Sequence, residues 1–471
     1  MTACPADFPT LSRAAALATR RQRHAGGRAL RKTLPRGAHA DWVPPPGRAD
    51  PVAILERQAE GRIAGLLPIR YRRMAASPFA FLRGAAAVMA ADLAHTVWAG
   101  PRVQGCGDCH LANFGAYASP EGAPVFDIND FDETLPAPFE WDIKRLGASL
   151  VLAGQEDGLA DGAARDLAVL AARAYAAEMA RLAPLTPLQI WTNRIDLAAA
   201  IDAFADGRAR RRARSLLAAR MESAGRHFGL VADNGGTPSL REKPPLVMRL
   251  PEHDQTVRGA FARYVATQPP ERAILLAQYR LRDVIFKVVG VGSVGTFCAI
   301  GLFATADGDS LLLQIKQAQE SVLAPYAGVS ALRNQGQRVV TGQRMMQAAS
   351  DAFLGWTHTQ DEAEDGHDAL SGANRQFYVR RVKDSRLAAI GTEVAQQGLA
   401  DYAPLCGRAL ARAHARTGDV VALAAYLGRG RAFADAIGGF SVLYAAQTRR
   451  DWSAFQAAIA AGRLPVEGEG T

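Results

Sequence analysis

Two stretches of this 471-residue chain concentrate side chains able to do chemistry. The first reads Cys106-Gly107-Asp108-Cys109-His110-Leu111-Ala112-Asn113-Phe114 and leads on to Phe126-Asp127-Ile128-Asn129-Asp130-Phe131-Asp132-Glu133. Three chemistries compete for it. Taken as C-x-x-C-H, Cys106 to His110 is the haem-attachment pattern, which needs export and a second axial ligand. As a zinc site, Cys106, Cys109 and His110 give three ligands in a tight span where four are wanted. The third reading sets the cysteines aside. Asp108 can accept a hydroxyl proton, and Asn113, five residues on, and Asp130, 17 further, can hold Mg²⁺. Those are the parts of phosphoryl transfer, a reaction that rests on positioning and charge neutralisation. Turn capping is the structural alternative, but the five acids or amides from Asp127 to Glu133 exceed what a turn requires.

The second stretch is Gly290-Val291-Gly292-Ser293-Val294-Gly295. A G-x-G-x-x-G loop that opens a helix binds a dinucleotide pyrophosphate. Here the following residues, Thr296 to Phe303, are strand-like, so the loop joins two antiparallel strands and its glycines let backbone N–H groups approach phosphates. Lys316 ends a third strand-like run, 21 residues after Gly295, in a chain with six lysines and 49 arginines. A lysine on a third strand is placed to reach nucleotide phosphates; a hairpin carrying a solvated lysine is the plainer alternative. Arg70, Arg72, Arg73 and Arg83 either face a phosphate or brace helices, and the residues alone do not separate these. His414 reads as a core or capping histidine, and Asp142 with Lys144-Arg145 as a pair bracing the Asp130 loop. His358 and His367 flank acids that could hold a metal, with a solvated loop as the better reading.

Around these residues the pattern defines the elements. Residues 1–50 are rich in Arg, Ala, Gly and Pro and read as a basic mobile arm. Helical periodicity follows from Asp50, and Ser77-Pro78 caps and starts another helix. A short strand, Arg102 to Gln104, precedes the turn-rich Gly105 to Pro138. Helices are predicted over Trp141 to Ala153 and Asp161 to Leu182. Val284–Val289, Thr296–Phe303 and Leu311–Lys316 form an antiparallel meander, and the C-terminal part is helical again. The domains are thus the arm 1–50, a helical lobe 51–281 with the catalytic and metal loops, a β-rich nucleotide lobe 282–383, and C-terminal helices 384–471 that complete the large lobe.

Composition excludes several classes. A hydrophobic fraction of 49% with 21% charged residues is that of a folded chain. The most apolar stretch, Val284 to Phe303, carries Lys287 and four glycines and is no membrane span. The net charge is +9, of which nine basic residues against three acids in the first 50 supply +6. The rest is only mildly basic, which argues against a dedicated nucleic-acid-binding body. Five sparse cysteines suit a reducing cytoplasm, and no apolar segment follows Arg20-Arg21 to make a secretory signal.

Ile69-Arg70-Tyr71-Arg72-Arg73-Met74, Ser77-Pro78-Phe79, Arg83-Gly84, Gly107-Asp108-Cys109-His110, Asn129-Asp130-Phe131-Asp132-Glu133 and Trp141-Asp142-Ile143-Lys144-Arg145-Leu146 resemble the bacterial family termed domain of unknown function 2252, as do the glycine loop and Gly342-Gln343-Arg344-Met345-Met346-Gln347. The resemblance covers about residues 28 to 460. Cys106 to Asn113 is also similar to the catalytic loop His-Gly-Asp-x-His-x-x-Asn of aminoglycoside and choline phosphotransferases. Asp108, His110 and Asn113 match it, and Cys106 stands in place of the first His. The similarity implies a two-lobed α+β, protein-kinase-like fold that binds ATP and Mg²⁺ and phosphorylates an unidentified hydroxyl or amine acceptor. Asp108 and His110 would be catalytic and Asn113 and Asp130 would hold the metal. Gly290, Gly292, Ser293, Gly295 and Lys316 would hold the nucleotide phosphates. The glycine loop and lysine follow the catalytic loop, so the similarity further implies a circular permutation. No acid lies 15 to 19 residues after Lys316 to partner it, leaving Glu320 or the neutral Gln343. A catalytically silent nucleotide-binding regulator is the alternative.

Overall fold

The computed structural model describes residues 17–222, 229–234, 237–288, 290, 292, 294–359, 375–382 and 398–466. It is a mixed α+β structure with small antiparallel sheets around a helical body. At the centre of that body, helix Phe139–Glu156 is buried on every side from Phe139 to Gly154. A helix buried all round, here with Glu140, Asp142, Lys144 and Arg145 on it, must be enclosed by others that also supply partners for its charges. It is enclosed by Asp161–Leu182, Leu399–Ala415 and the 30-residue Arg431–Ala460. Ser77 caps helix Pro78–Gly84 by accepting from the Ala80 N–H at 3.1 Å, as its position before a proline predicts. A break at Ala85 separates that helix from Ala86–Leu93.

A two-stranded pair and the short hairpin inserted between its strands rest on this body and carry the first chemical stretch. Strand β1 (Arg102–Gly105) pairs antiparallel with β4 (Leu135–Pro138), and β2 (Phe114–Ala118) pairs with β3 (Pro124–Ile128), itself flanked by β5 (Ile195–Asp196). A separate hairpin joins β6 (Val231–Asn234) to β7 (Thr237–Leu240).

The second stretch belongs to a six-stranded antiparallel sheet. Its strands are β8 (Val247–Met248), β9 (Arg280–Lys287), β10 (Cys298–Ala304), β11 (Ser310–Gln317), β12 (Gly355–His358) and β13 (Gln376–Arg381), in spatial order β12-β13-β11-β10-β9-β8. The meander β9-β10-β11 matches the three β-type runs of the sequence. Alternate residues separate to two cores. Val284, Phe286, Ala299, Leu313 and Ile315 pack with helix Pro251–Ala266, and Ile285, Ile300, Leu302 and Leu312 pack with Leu240 and Val247. Helix Gln335–Met346 lies in the chain between β11 and β12 and packs against β12 and β13. No helix among the described residues is long and apolar enough to cross a membrane.

The expectation of a mobile arm over 1–50 fails for residues 17–50. Helix Arg20–Thr33, with a Thr19/Gln22 capping box, packs on helix Val420–Leu427. Two of the basic residues that suggested a solvated tail satisfy that helix's C-terminal carbonyls. Arg31 Nε donates to the Tyr426 carbonyl at 2.9 Å and Arg36 Nη1 to Leu427 at 3.0 Å. Arg48 grips Asp92 at 2.7 Å and Asp451 at 2.6 Å. Composition records charge but not whether a fold consumes it.

Candidate functional site

The catalytic-type loop leaves β1 at Gly105. Gly107 has φ +80°, a left-handed backbone that a side chain resists, and a Cβ there would meet the Glu133 carbonyl oxygen at 2.5 Å. The loop therefore lies directly on the Asp130–Glu133 turn. Asp142, one turn into the central helix, receives the backbone N–H of Cys106 at 2.6 Å and of Gly107 at 3.0 Å. His414 Nε2 lies 3.1 Å from the same carboxylate, and its Nδ1 lies 2.9 Å from the Tyr175 hydroxyl. His414 is thus the core histidine the sequence indicates. Asp142 braces the Cys106–Gly107 end of the loop through backbone donors rather than by pairing with Lys144-Arg145.

Arg145 takes another role. Its Nε donates to Asp108 Oδ1 at 2.8 Å and its Nη2 to the same oxygen. Asp108 Oδ2 lies 3.6 Å from His110 Nε2. Burial, together with the charges of Arg83 and Arg145, holds His110 well below the ordinary histidine range, so its ring is neutral. Asn113 Nδ2 donates to the Asp108 carbonyl at 2.7 Å. Because Phe114 pairs with Ile128 across β2 and β3, Asn113 and Asp130 stand at the same end of that hairpin, joined by the Asn129 N–H to Asn113 carbonyl bond of 2.7 Å. The Cys106 thiol contacts the Asp130 carbonyl at 3.4 Å, tying the two loops together. A hydrogen bond with Cys109 favours the Cys106 thiolate, but burial together with the charges of Asp142, Asp108 and Asp130 pushes the thiol up to about 11. The four described cysteines are free and buried, and no group of three or more His, Cys, Asp or Glu is arranged to hold a metal among the described residues.

The sheet brings the second stretch to the same place. Lys316, 2% exposed, is ion-paired with Asp132 Oδ2, while the Tyr378 hydroxyl donates to Asp132 Oδ1 at 2.7 Å. Burial opposes the Lys316 charge, but Asp132, Tyr378 and Asp130 together hold it well above the ordinary lysine value. Burial likewise works against ionised Asp132, but Lys316 and Tyr378 keep its pKa low. Asp130 goes the other way, pushed up by burial and by the Asp132 charge, and burial lifts Glu133 to about 7. Helix Gln335–Met346 offers no acid to Lys316. Gln343 bonds Gln347 at 2.8 Å, and Arg338 donates to the carbonyls of Asp132 and Thr134 at 2.8 and 2.7 Å.

The glycine loop closes over the Cys106–Asn113 loop. A Cβ on Gly292 would lie 3.2 Å from the Arg83 carbonyl and 3.9 Å from Asp108 Oδ2. Arg62 Nη1 holds the Gly292 and Val294 carbonyls at 2.8 and 2.6 Å, and Arg73 Nη1 holds Gly290 at 2.5 Å. Gly295 adopts φ +91° against Arg62. Ser293 lies outside the described residues, as does His367. Asp108, Asp130, Asp132, Glu133 and Gly292 thus line one cleft of about 50 Å³.

Four participants escape the sequence reading: Arg145 as the partner of Asp108, Asp132 as that of Lys316, Arg62 as the loop's anchor, and Glu133. The pairs are separated by 37, 184 and 230 residues, so spacing carries no trace of them. The Asp132 pairing could have been sought from the missing helix acid, which obliges a buried lysine to find a carboxylate elsewhere.

No curated protein and no solved structure matches the chain. One family model does, over residues 62–458, a span that includes both loops, the glycine loop and Lys316. The chain belongs to that family, the uncharacterized proteins conserved in bacteria termed domain of unknown function 2252.

Proposed function

We propose that the chain is an ATP- and Mg²⁺-dependent phosphotransferase with a circularly permuted, kinase-like arrangement, acting on a hydroxyl or amine acceptor. The observation that carries this reading is the convergence of Asp108, Asp130, Asp132 and Gly292 on one cleft, with Lys316 of the third meander strand ion-paired to Asp132. Strand, glycine loop, strand, lysine-bearing strand and helix follow one another in the order that kinase chemistry uses.

The donors suit magnesium. Mg²⁺ takes one or two carboxylates plus substrate phosphates rather than a full protein cage, and Asp130 with the Asn113 carboxamide supplies oxygen ligands of that kind. Asp130 is destabilised as an anion by neighbouring Asp132, a repulsion that a cation would relieve. Bound there, the metal would neutralise charge developing on the transferred phosphoryl group. The chain's own residues do the rest. Asp108 Oδ1 is fixed by Arg145, which orients Oδ2 as the acceptor for the substrate's proton. Neutral His110 supports that carboxylate, and Lys316 holds nucleotide phosphate.

The silent-regulator alternative draws on one observation: Lys316 is paired with an acid of the metal loop, and helix Gln335–Met346 lacks the usual acid. Two measurements separate the readings. Mg–ATP at about 100 times its dissociation constant is expected to stabilise wild type by roughly 2.7 kcal/mol, and Lys316→Met to lose that shift. Asp108→Asn is expected to keep the shift and lose about 10²–10⁴ in ATP turnover, the usual contribution of a general base. Turnover unchanged in Asp108→Asn rejects the catalytic assignment; no shift in wild type rejects nucleotide binding.

A further inference from the structure

The helices ahead of the catalytic loop deliver a second set of charges to the same cleft. Arg62 and Arg73 are occupied by glycine-loop carbonyls. Arg70 and Arg83 are not. Arg70, in helix Leu67–Ala75, is 0% exposed; its Nη2 donates to the Gly84 carbonyl at 2.9 Å, but its Nε and Nη1 have no hydrogen-bond partner. Arg83, in the last turn of helix Pro78–Gly84, lies over the Phe79 ring at 5.9 Å, and its Nε is also unmatched. Both side chains line the cleft beside Asp108. Burial lowers the pKa of each, and for Arg83 the charge of Asp108 opposes this only in part.

A buried cation with unmet donors is costly. These donors are enclosed, but both residues line the cleft, so an anion held there would be the partner they lack. Size decides which anion. A volume of about 50 Å³ is room for a few water molecules or one phosphate or carboxylate group, far below the roughly 300–1,000 Å³ of sites that enclose a whole small molecule. We propose that Arg70 and Arg83 form a subsite for a single anionic oxygen group, phosphate or carboxylate, carried by the acceptor. Its anionic head would sit on the two guanidinium groups and bring the nucleophile to Asp108 Oδ2. The word acceptor rests on the phosphotransferase reading; the anion site does not.

Calorimetric titration of the full chain with inorganic phosphate at fixed ionic strength, beside a parallel titration with Mg–ATP, tests this. Phosphate is expected to bind wild type, to bind Arg83→Gln and Arg70→Lys at least tenfold more weakly, and to bind Lys316→Met within threefold of wild type. Mg–ATP is expected to show the reverse, weakened by Lys316→Met and unchanged by Arg83→Gln. Arg70 is enclosed and its variant can fail to fold. Arg83 is only partly buried, so Arg83→Gln with a native unfolding temperature decides the matter alone. Equal phosphate affinity in wild type and Arg83→Gln overturns the subsite. So does equal weakening of phosphate and Mg–ATP with mutual displacement, which would assign the arginines to the nucleotide. The expected phosphate pattern with no Mg–ATP binding upholds the anion site and removes the phosphotransferase reading.

Discussion

Lys144 and Lys316 are both buried, 0% and 2% exposed, and the molecule treats them in opposite ways. Lys316 is in direct contact with Asp132 and stays charged, its pKa raised despite burial. Lys144 sits on the central helix with no hydrogen-bond partner on Nζ and the Phe440 ring 4.7 Å away. Burial lowers it to about 8, the charges of Glu140 and Asp41 opposing only in part. Glu140, one turn earlier, receives the Ala99 N–H at 2.6 Å, and burial raises it to about 7. Proximity to an acid is thus not sufficient. A contact ion pair offsets desolvation, whereas an acid out of hydrogen-bond contact leaves both partners drifting toward their neutral forms. Of the contacting pair, Asp132 lines the cleft with Lys316 buried behind it, whereas the separated pair lies inside the helical core.

The largest effect should come from breaking the contact pair. Asp132→Asn leaves Lys316 buried without its counter-charge and is expected to cost about 3 kcal/mol, the lower end for such pairs because Asp132 is partly exposed. Urea unfolding measures it, and a cost below about 1 kcal/mol would place the two lysines in the same class. Next comes Glu140. Its pKa is raised from 4.5 to about 7, so its contribution is present below pH 4.5 and lost as pH rises through 7. Glu140→Gln should therefore gain on wild type across that window by about 3 kcal/mol, the ceiling set by the size of the shift. His39, which burial holds at about 3, contributes in the opposite sense and lies 3.9 Å from Glu140, so the comparison is made in a His39→Gln background. A flat difference would mean that Glu140 ionises freely. The smallest effect belongs to Lys144→Met. Removing an unpaired buried ammonium is expected to stabilise by about 1 kcal/mol at pH 7. It should also erase the rise in stability that wild type shows between pH 8 and 10.5, where the unfolded chain still holds a proton that folded Lys144 has released. Destabilisation at pH 7 would show that the contact with Phe440 outweighs the buried charge.

Much of the local structure is legible before any coordinates. The helix over Asp161–Leu182 has its predicted bounds, the meander carrying Lys316 is where alternation and Gly-rich breaks put it, and Ser77-Pro78 starts its helix. These depend on neighbours within a few residues. The docking of residues 17–50 is misread because Arg31, Arg36 and Arg48 look like a solvated charge run until helix Val420–Leu427 and Asp451 are in place. Asp142 and Arg145 are singled out together by sequence, yet only the helix phase separates them. One faces the Cys106–Gly107 backbone and the other faces Asp108.

Residue type and short-range spacing determined which side chains could act: an Asp and Asn five apart, a later Asp, and a lysine on the strand pair after a glycine loop. Tertiary structure alone decided what each is bound to. Arg145 claims Asp108, Asp132 claims Lys316, Arg62 holds the glycine loop, and Arg70 and Arg83 keep unmet buried donors beside the cleft. The physical reason is that a charge buried by folding takes whichever counter-charge the packing brings within contact, and contacts between residues hundreds of positions apart leave no mark on the local sequence.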